Sequence, residues 1–181
     1  MKVLICGAGI AGLTLGLRLG TAGCHVTIVE AASALGGRDH LVELFGAGYD
    51  AADRLSLLPR LRESACVIPE ALWIDRTGRP VASLHYARIE RILDGRLVTL
   101  MRADLEQILF QALPRSVDVR FGHALEGIQL HRGGVEVLLS SGDREYADVL
   151  IGADGIESRV RGLVVGDSQC AFRFLGLHLA S

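Results

Sequence analysis

The beginning of the chain alternates between apolar runs and glycines. Residues 2–6 form an apolar run that predicts a buried strand of a parallel sheet, and the apolar positions at 10–19 predict a helix that ends near Gly20 or Gly23. Residues 25–30 predict a second strand, whose last residue is acidic. Strand, glycine turn, helix and strand in this order predict a βαβ unit.

The central part of the chain changes its pattern twice. Residues 49–63 have the apolar spacing of a helix, in which Pro59 predicts a kink or an early end. Residues 66–85 then consist of short β runs with a turn signal at 75–78. We therefore expect a hairpin that is inserted between parts of the parallel-sheet layer.

The remaining sequence predicts mainly strands. The predicted elements are a strand at 97–101, a helix at 103–113, a strand at 117–121, a hairpin of 125–130 and 135–139, a strand at 149–151 and a short helix at 155–163. The hydrophobic tail at 171–179 alternates in the manner of a strand that enters a further sheet.

Composition narrows the possible functions. Of the 181 residues, 50% are hydrophobic, which favours a compact globular body. The formal net charge is −2, Lys2 is the single lysine, and the arginines are dispersed along the chain. Because nucleic-acid binding needs a concentrated basic face, we expect no nucleic-acid partner.

The cysteines and histidines favour a cytoplasmic protein without a metal site. The four cysteines form no C-x-x-C pair, and the six histidines lack metal-ligand spacing. The apolar start resembles an export signal, but its three glycines have phosphate-loop spacing and a strand follows at once. Arg18 interrupts the apolar run, so we expect no membrane span.

The first motif with chemistry is the glycine turn at residues 7–12, Gly-Ala-Gly-Ile-Ala-Gly. In such a turn Gly7 permits the tight bend, Gly9 lets a pyrophosphate approach the backbone, and Gly12 lets helix and strand pack closely. The N–H groups at the start of the helix, including those of Ile10 and Ala11, favour an anion. These features predict an α/β fold, Rossmann-like, with a parallel sheet and inserted β-hairpins.

Glu30 ends the second predicted strand and completes this motif. A carboxylate there can accept hydrogen bonds from both hydroxyls of an adenosine ribose and would repel a 2′-phosphate. The site therefore suits FAD or NAD better than NADP.

The second motif runs from Asp148 to Arg161 and joins a buried strand to a helix. Asp154 and Gly155 lie at the end of that strand, where a carboxylate and backbone N–H groups can meet a ribityl chain or a pyrophosphate. The local sequence is equally compatible with Asp154 as the cap of the following helix.

Three stretches together resemble, in order and spacing, the FAD-dependent monooxygenases that include para-hydroxybenzoate hydroxylase and the tetracycline-modifying oxygenases. They are residues 7–12 with Glu30, residues 100–109, and residues 148–161. The third stretch matches the Asp-Gly motif of that family at Gly152, Asp154, Gly155, Ser158 and Arg161.

This resemblance implies the FAD-binding part of an enzyme that uses NAD(P)H and oxygen to hydroxylate a small aromatic or polyketide-like substrate. It implies that Arg102 contacts the ribityl-phosphate side of the flavin, and that Arg38 and Glu43 are weaker candidates near the cofactor. It identifies no catalytic residue. The expected cofactor-binding residues are Gly7, Gly9, Ile10, Ala11, Gly12, Glu30, Arg38, Arg102, Asp154 and Gly155.

The resemblance covers nearly all of the chain but only the first half of the family's architecture. It implies an FAD-binding domain at residues 1–165, with a β insertion at about 66–96, and the start of a truncated substrate domain at 166–181. We expect little independent turnover. An exposed carboxy-terminal strand would favour self-association.

Two other functions remain open. The chain could be a non-catalytic module that binds NAD or ADP-ribose through the glycine turn. It could also belong to another flavin oxidoreductase with the same front half, such as an isoprenoid-chain reductase or a halogenase. A halogenase needs a lysine in its substrate tunnel, and Lys2 on the first strand cannot serve.

Overall fold

The computed structural model describes residues 1–36, 40–166 and 175–176. The chain divides into two compact units: Met1–Arg38 with Leu109–Ser181, and Asp39–Ile108. In chain order the elements are β1 (Lys2–Cys6), α1 (Ile10–Thr21), β2 (His25–Glu30), β3 (Leu41–Leu44), α2 (Gly46–Arg54), α3 (Leu58–Glu63), β4 (Glu70–Ile74), β5 (Pro80–His85), α4 (Tyr86–Ile92), β6 (Val98–Met101), α5 (Arg102–Gln111), β7 (Val117–Phe121), β8 (Leu125–His131), β9 (Gly134–Leu139), β10 (Arg144–Ala147), β11 (Val149–Gly152) and α6 (Arg159–Val165).

A parallel sheet with the strand order β11-β1-β2-β7 forms the centre of the first unit. The central strand β1 is buried from Val3 to Cys6, because a parallel sheet is covered on both faces. Helix α1 covers one face at close range. A Cβ atom on Gly16 would lie 2.7 Å from Ile28 Cδ1, and one on Gly20 would lie 2.5 Å from Val117 Cγ2. The glycines of α1 therefore determine how closely the helix approaches the sheet.

An antiparallel sheet with the strand order β10-β9-β8 covers the opposite face. Leu4 and Val29 from the parallel sheet share a buried cluster with Val137 and Leu139 from β9. Val29 alternates with Ile28 along β2, so the two side chains point to opposite faces. The parallel sheet is thus the middle of three layers.

The second unit contains two small antiparallel pairs, β3 with β6 and β4 with β5. Its buried side chains come mainly from α2, α3, β6 and α5; they are Tyr49, Leu58, Leu61, Leu100 and Leu105. The β4–β5 hairpin contributes little to this core, since Trp73 is 52% and Val81 is 66% exposed.

The fold class and both hairpins predicted from the sequence are confirmed. The helix predicted at 49–63, with a kink or an early end at Pro59, is interrupted at a different residue, because the chain forms α2 and α3 with Ser56 between them at φ 57°. Pro59 lies in the first turn of α3, where a missing N–H costs nothing, so it starts a helix. The sequence reading also missed β3, α4 and β10.

The helix predicted at 155–163 begins later than expected. Residues 155–158 form a turn, and α6 starts at Arg159 after the cap residue Ser158. Of the strand predicted at 171–179, the structure describes only residues 175–176. The assignment of 1–165, with its insertion at 66–96, and of 166–181 to domains stays a prediction. No helix within the described ranges has the length and apolar character that a membrane crossing requires.

The layered core predicts a large difference between two leucines of the antiparallel sheet. Leu139 is fully buried and Leu130 is 81% exposed. We expect Leu139→Ala to lower the free energy of unfolding by about 2–5 kcal/mol, through lost burial and a residual cavity. Leu130→Ala should change it by less than about 0.5 kcal/mol. Urea denaturation followed by circular dichroism measures both, and equal losses would contradict this packing.

Candidate functional site

The glycine turn between β1 and α1 is packed so closely that two of its positions exclude a side chain. Gly7 has φ +107°, and a Cβ atom there would lie 2.5 Å from the carbonyl oxygen of Ala153. A Cβ atom on Gly12 would lie 1.9 Å from the carbonyl oxygen of Gly7. The N–H of Gly7 donates to the carbonyl of Val29 at 2.8 Å, which ties the turn to β2.

Helix α1 begins directly at this turn and provides donors for an anion. Gly9 is the cap residue and has no side chain with which to cap the helix. The first four N–H groups of a helix have no partner within the helix, and the helix dipole makes that end positive. The N–H groups of Gly9, Ile10, Ala11 and Gly12 are therefore in position to bind a pyrophosphate.

Glu30 is held against the turn by its own hydrogen bonds. One carboxylate oxygen accepts the N–H of Ala8 at 2.8 Å, and the other accepts the N–H of Ala32 at 2.9 Å. A carboxylate has about four acceptor positions, so these two bonds leave capacity for the hydroxyls of a ribose. The acid is thus already oriented beside the amino-terminal end of α1.

The carboxylate of Asp154 accepts two hydrogen bonds from residues at the start of α6. Its carboxylate accepts the hydroxyl of Ser158 at 2.6 Å and the N–H of Val160 at 3.0 Å. Burial opposes ionisation of this carboxyl, but these hydrogen bonds together lower its pKa from the ordinary value of 3.8. Asp154 therefore bonds an N–H in the first turn of α6, although the cap residue of this helix is Ser158, and a role for Asp154 and Gly155 toward a cofactor stays a prediction.

The two motifs meet at the ends of neighbouring strands. Besides the approach of Gly7 to Ala153, the Ala153 N–H donates to the carbonyl of Cys6 at 2.7 Å, which continues the β1–β11 pairing into the turn. Gly155 has φ +79° and no heavy atom within 4 Å of an added Cβ, so its backbone is open. The anion-binding end of α1 and the open backbone at Gly155 therefore lie at one edge of the sheet.

Cys6 is buried beside this turn and is not an activated nucleophile. Its burial, with a smaller contribution from the charge of Asp154, raises the pKa of the thiol to about 12. A thiol with this pKa is protonated at neutral pH. Among the residues that the structure describes, no group of three His, Cys, Asp or Glu side chains could hold a metal ion.

Two further candidates lie in the second unit, and one lies outside the described residues. Arg102 is the first residue of α5 and forms an ion pair at 2.8 Å with the buried Glu106 one turn later. Glu43 accepts a hydrogen bond from the hydroxyl of Tyr86, which raises the pKa of that phenol. Arg38 is outside the described residues. Contacts of these three residues with a cofactor stay predictions.

The sequence reading missed the turn that follows β7. The N–H of Gly122 donates to the carbonyl of Ala32 at 2.8 Å, and the N–H of His123 donates to the carbonyl of Glu30 at 2.9 Å. This turn therefore lies beside Glu30. The available signal was its place at the carboxyl end of a parallel strand, the edge at which such sheets bind ligands.

Comparison with known proteins agrees with this geometry. A family model for the NAD(P)-binding Rossmann-like domain matches residues 5–58. The flavin-dependent monooxygenase eupH of Phoma sp is 33% identical over 99% of this chain and 44% of its own length. The chain is similar to the flavin-dependent monooxygenases. It spans less than half the length of this relative.

Solved structures confirm the resemblance to these enzymes. The tetracycline destructase Tet(51) has a TM-score of 0.77 and 27% identity, over 92% of this chain and 42% of its own. HpxO of Klebsiella pneumoniae, solved with FAD and uric acid, has a TM-score of 0.73 and 25% identity over 92% and 42% of the two chains. The resemblance to FAD-dependent monooxygenases, inferred from three motifs, therefore extends over most of the chain.

The close packing of the glycine turn predicts that Gly12→Ala is damaging. The added Cβ would lie 1.9 Å from the carbonyl oxygen of Gly7, so the backbone would have to shift to make room for it. We expect the free energy of unfolding to fall by about 2–4 kcal/mol. The control is Gly48→Ala in α2, where the added Cβ meets only the Leu44 side chain at 3.5 Å. Its effect should be below about 1 kcal/mol and in the stabilising direction. An unchanged free energy of unfolding for Gly12→Ala in denaturant titrations would contradict the close packing of this turn.

The hydrogen bonds of Asp154 predict a pH-dependent contribution to stability. Because the pKa of this carboxyl is lower in the folded state, its ionised form stabilises the fold at neutral pH. The stabilisation is lost as the pH falls through the folded-state pKa, below 3.8. Asp154→Asn should cost about 1 kcal/mol at neutral pH, and the difference from wild type should shrink toward acid. Exposed Asp53, changed to Asn, is the control; a pH-independent difference at Asp154 would oppose this account.

Proposed function

We propose that the chain is the FAD-binding portion of a flavin-dependent monooxygenase. In this proposal NAD(P)H is the reductant, oxygen is the oxidant, and a small organic substrate of aromatic or polyketide-like character is hydroxylated. The observation that carries it is the close approach of the glycine turn to residues 153–155: a Cβ atom added to Gly7 would lie 2.5 Å from the carbonyl oxygen of Ala153. The glycine turn suits the pyrophosphate of FAD. Residues 153–155 lie at the same edge of the sheet, where the flavin side of the cofactor would continue.

The residues around α1 fit the adenosine diphosphate part of FAD. The N–H groups of Gly9, Ile10 and Ala11 would hold the pyrophosphate, since Gly9 has no side chain to block its approach to the backbone. Glu30 would accept the hydroxyls of the adenosine ribose while it keeps its bonds to Ala8 and Ala32. Its negative charge disfavours a 2′-phosphate, so this site suits FAD better than NADP.

The residues around Gly155 fit the ribityl side. Asp154 and Ser158 hold the turn by hydrogen bonds, and the backbone at Gly155 remains open to a ligand. Bound FAD would supply the transfer of electrons from NAD(P)H to oxygen. The protein residues bind and orient the cofactor. Arg38 and Arg102 are proposed as additional contacts from the resemblance.

We also propose a cytoplasmic location and a tendency of the polypeptide to self-associate. Cys6, Cys24 and Cys66 are free thiols, which favours the reducing cytoplasm. The exposed apolar side chains of the β4–β5 hairpin favour association or low solubility of this polypeptide. Self-association through the strand predicted at 171–179 is proposed from the sequence. A small-molecule substrate is expected, and no nucleic acid or membrane partner.

Titration of the purified chain with FAD tests the cofactor assignment. We expect FAD to bind more tightly than ADP-ribose, with a change in the flavin absorbance and fluorescence. Glu30→Gln should weaken FAD binding about tenfold, because a hydrogen-bonding charge at the ribose is lost. Glu126→Gln, at an exposed position on β8, is the matched control and should leave binding unchanged.

The same titration decides between the two functions. Equal or tighter binding of ADP-ribose would favour a non-catalytic dinucleotide-binding module, which the match to the NAD(P)-binding domain family supports as the second candidate. Absence of FAD binding to the wild-type chain would overturn the monooxygenase proposal.

A further inference from the structure

The turn after β7 occupies a fixed position next to the end of β2. Backbone bonds from Gly122 to Ala32 and from His123 to Glu30 join the two strand ends at 2.8 and 2.9 Å. Phe121 lies opposite Glu30 in the β2–β7 register. Whatever binds to Glu30 on the side away from β1 therefore meets this turn.

The order of the strands gives the direction in which a bound dinucleotide would extend. The pyrophosphate would lie over the turn after β1, and the ribose over Glu30 at the end of β2. The next strand in the same direction is β7. Neighbouring strands are about 4.8 Å apart, which is comparable to the step from a ribose to its base. The adenine of the dinucleotide would thus lie over residues 121–124.

The backbone N–H groups of this turn are already bonded within the protein. The N–H of Ala124 donates to the Ser140 hydroxyl at 3.0 Å, and its carbonyl accepts the Ser140 N–H at 2.8 Å. The N–H groups of Gly122 and His123 are bonded to β2, as described above. The imidazole of His123 is a remaining polar group of this turn, and the residue is half-buried.

The hydrogen bond of this imidazole defines its tautomer. Nδ1 lies 2.8 Å from the carbonyl oxygen of Phe121. A carbonyl oxygen can only accept, so Nδ1 carries the hydrogen. In the neutral ring Nε2 then has a lone pair and is an acceptor. An acceptor at this place matches the exocyclic amino group of adenine, which donates.

We propose that His123 is a specificity-determining residue that recognises adenine by accepting a hydrogen bond from its exocyclic amine at Nε2. This inference rests on the proposed function, because it requires a dinucleotide at Glu30. Such a hydrogen bond would distinguish adenine from hypoxanthine, which has an oxygen acceptor in place of the amine. Two acceptors facing each other would disfavour the hypoxanthine base.

The test compares ADP and inosine diphosphate as competitors of FAD on the wild-type chain, at about pH 8 where an ordinary imidazole is neutral. We expect ADP to compete about tenfold more effectively, which corresponds to one hydrogen bond. His123→Phe keeps an aromatic ring without the acceptor, and its ADP preference should fall to near unity. His131→Phe, in which the ring can still contact Tyr146, is the matched control and should keep the preference.

Each outcome decides the matter. Wild-type binding of FAD without a preference for ADP over inosine diphosphate would overturn the role of His123, and so would a preference that survives in His123→Phe. If His123→Phe does not fold, His123→Leu replaces it, because its side chain also lacks an acceptor and its preference for ADP should likewise fall to near unity. Failure of the wild-type chain to bind FAD would instead overturn the proposed function, and the role of His123 with it.

Discussion

The site depends on one close approach, between Gly7 at the end of β1 and the Ala153–Asp154 backbone at the end of β11. A Cβ at position 7 would lie 2.5 Å from the Ala153 oxygen and 3.0 Å from the Asp154 Cα. The carbonyl oxygen of Gly7 in turn leaves no room for a Cβ atom on Gly12, the third residue of α1. The start of the helix, the turn and the Asp-Gly segment are therefore positioned by one shared constraint.

Hydrogen bonds to acidic side chains keep the surrounding loops in place. Glu30 bonds the N–H groups of Ala8 and Ala32, on two different segments. Asp154 bonds Ser158 and Val160 and so shapes the turn before α6. Such bonds are stronger than neutral ones because the acceptor is charged. Both carboxylates thus orient the backbone of the two turns that we propose as the cofactor site.

The sequence predicted the parts of the fold in which local pattern and tertiary structure agree. The βαβ unit was predictable because strand periodicity, glycine spacing and the acidic strand end all indicate the same structure. The start of α6 was placed too early, because the bonds of Asp154 and Ser158 hold residues 155–158 in a turn. The division into α2 and α3 depends on the positive φ of Ser56, for which the sequence has no marker.

The candidate site was predictable to a similar degree. The glycine turn and Glu30 followed from a motif whose physical requirements are local. The proximity of Glu30 and His123 could not be predicted, because these residues are 93 positions apart and meet through the β2–β7 pairing. Arg102 was selected from the resemblance, and its pairing with the buried Glu106 depends on how α5 packs.

Amide hydrogen exchange with and without saturating FAD tests the central claim most directly, since it reports on backbone groups at the proposed contact. With FAD bound, we expect slower amide exchange at residues 9–12 and at 153–156, and unchanged exchange in the β4–β5 hairpin. Unchanged exchange at residues 9–12 with FAD bound, or protection confined to the hairpin, would contradict it.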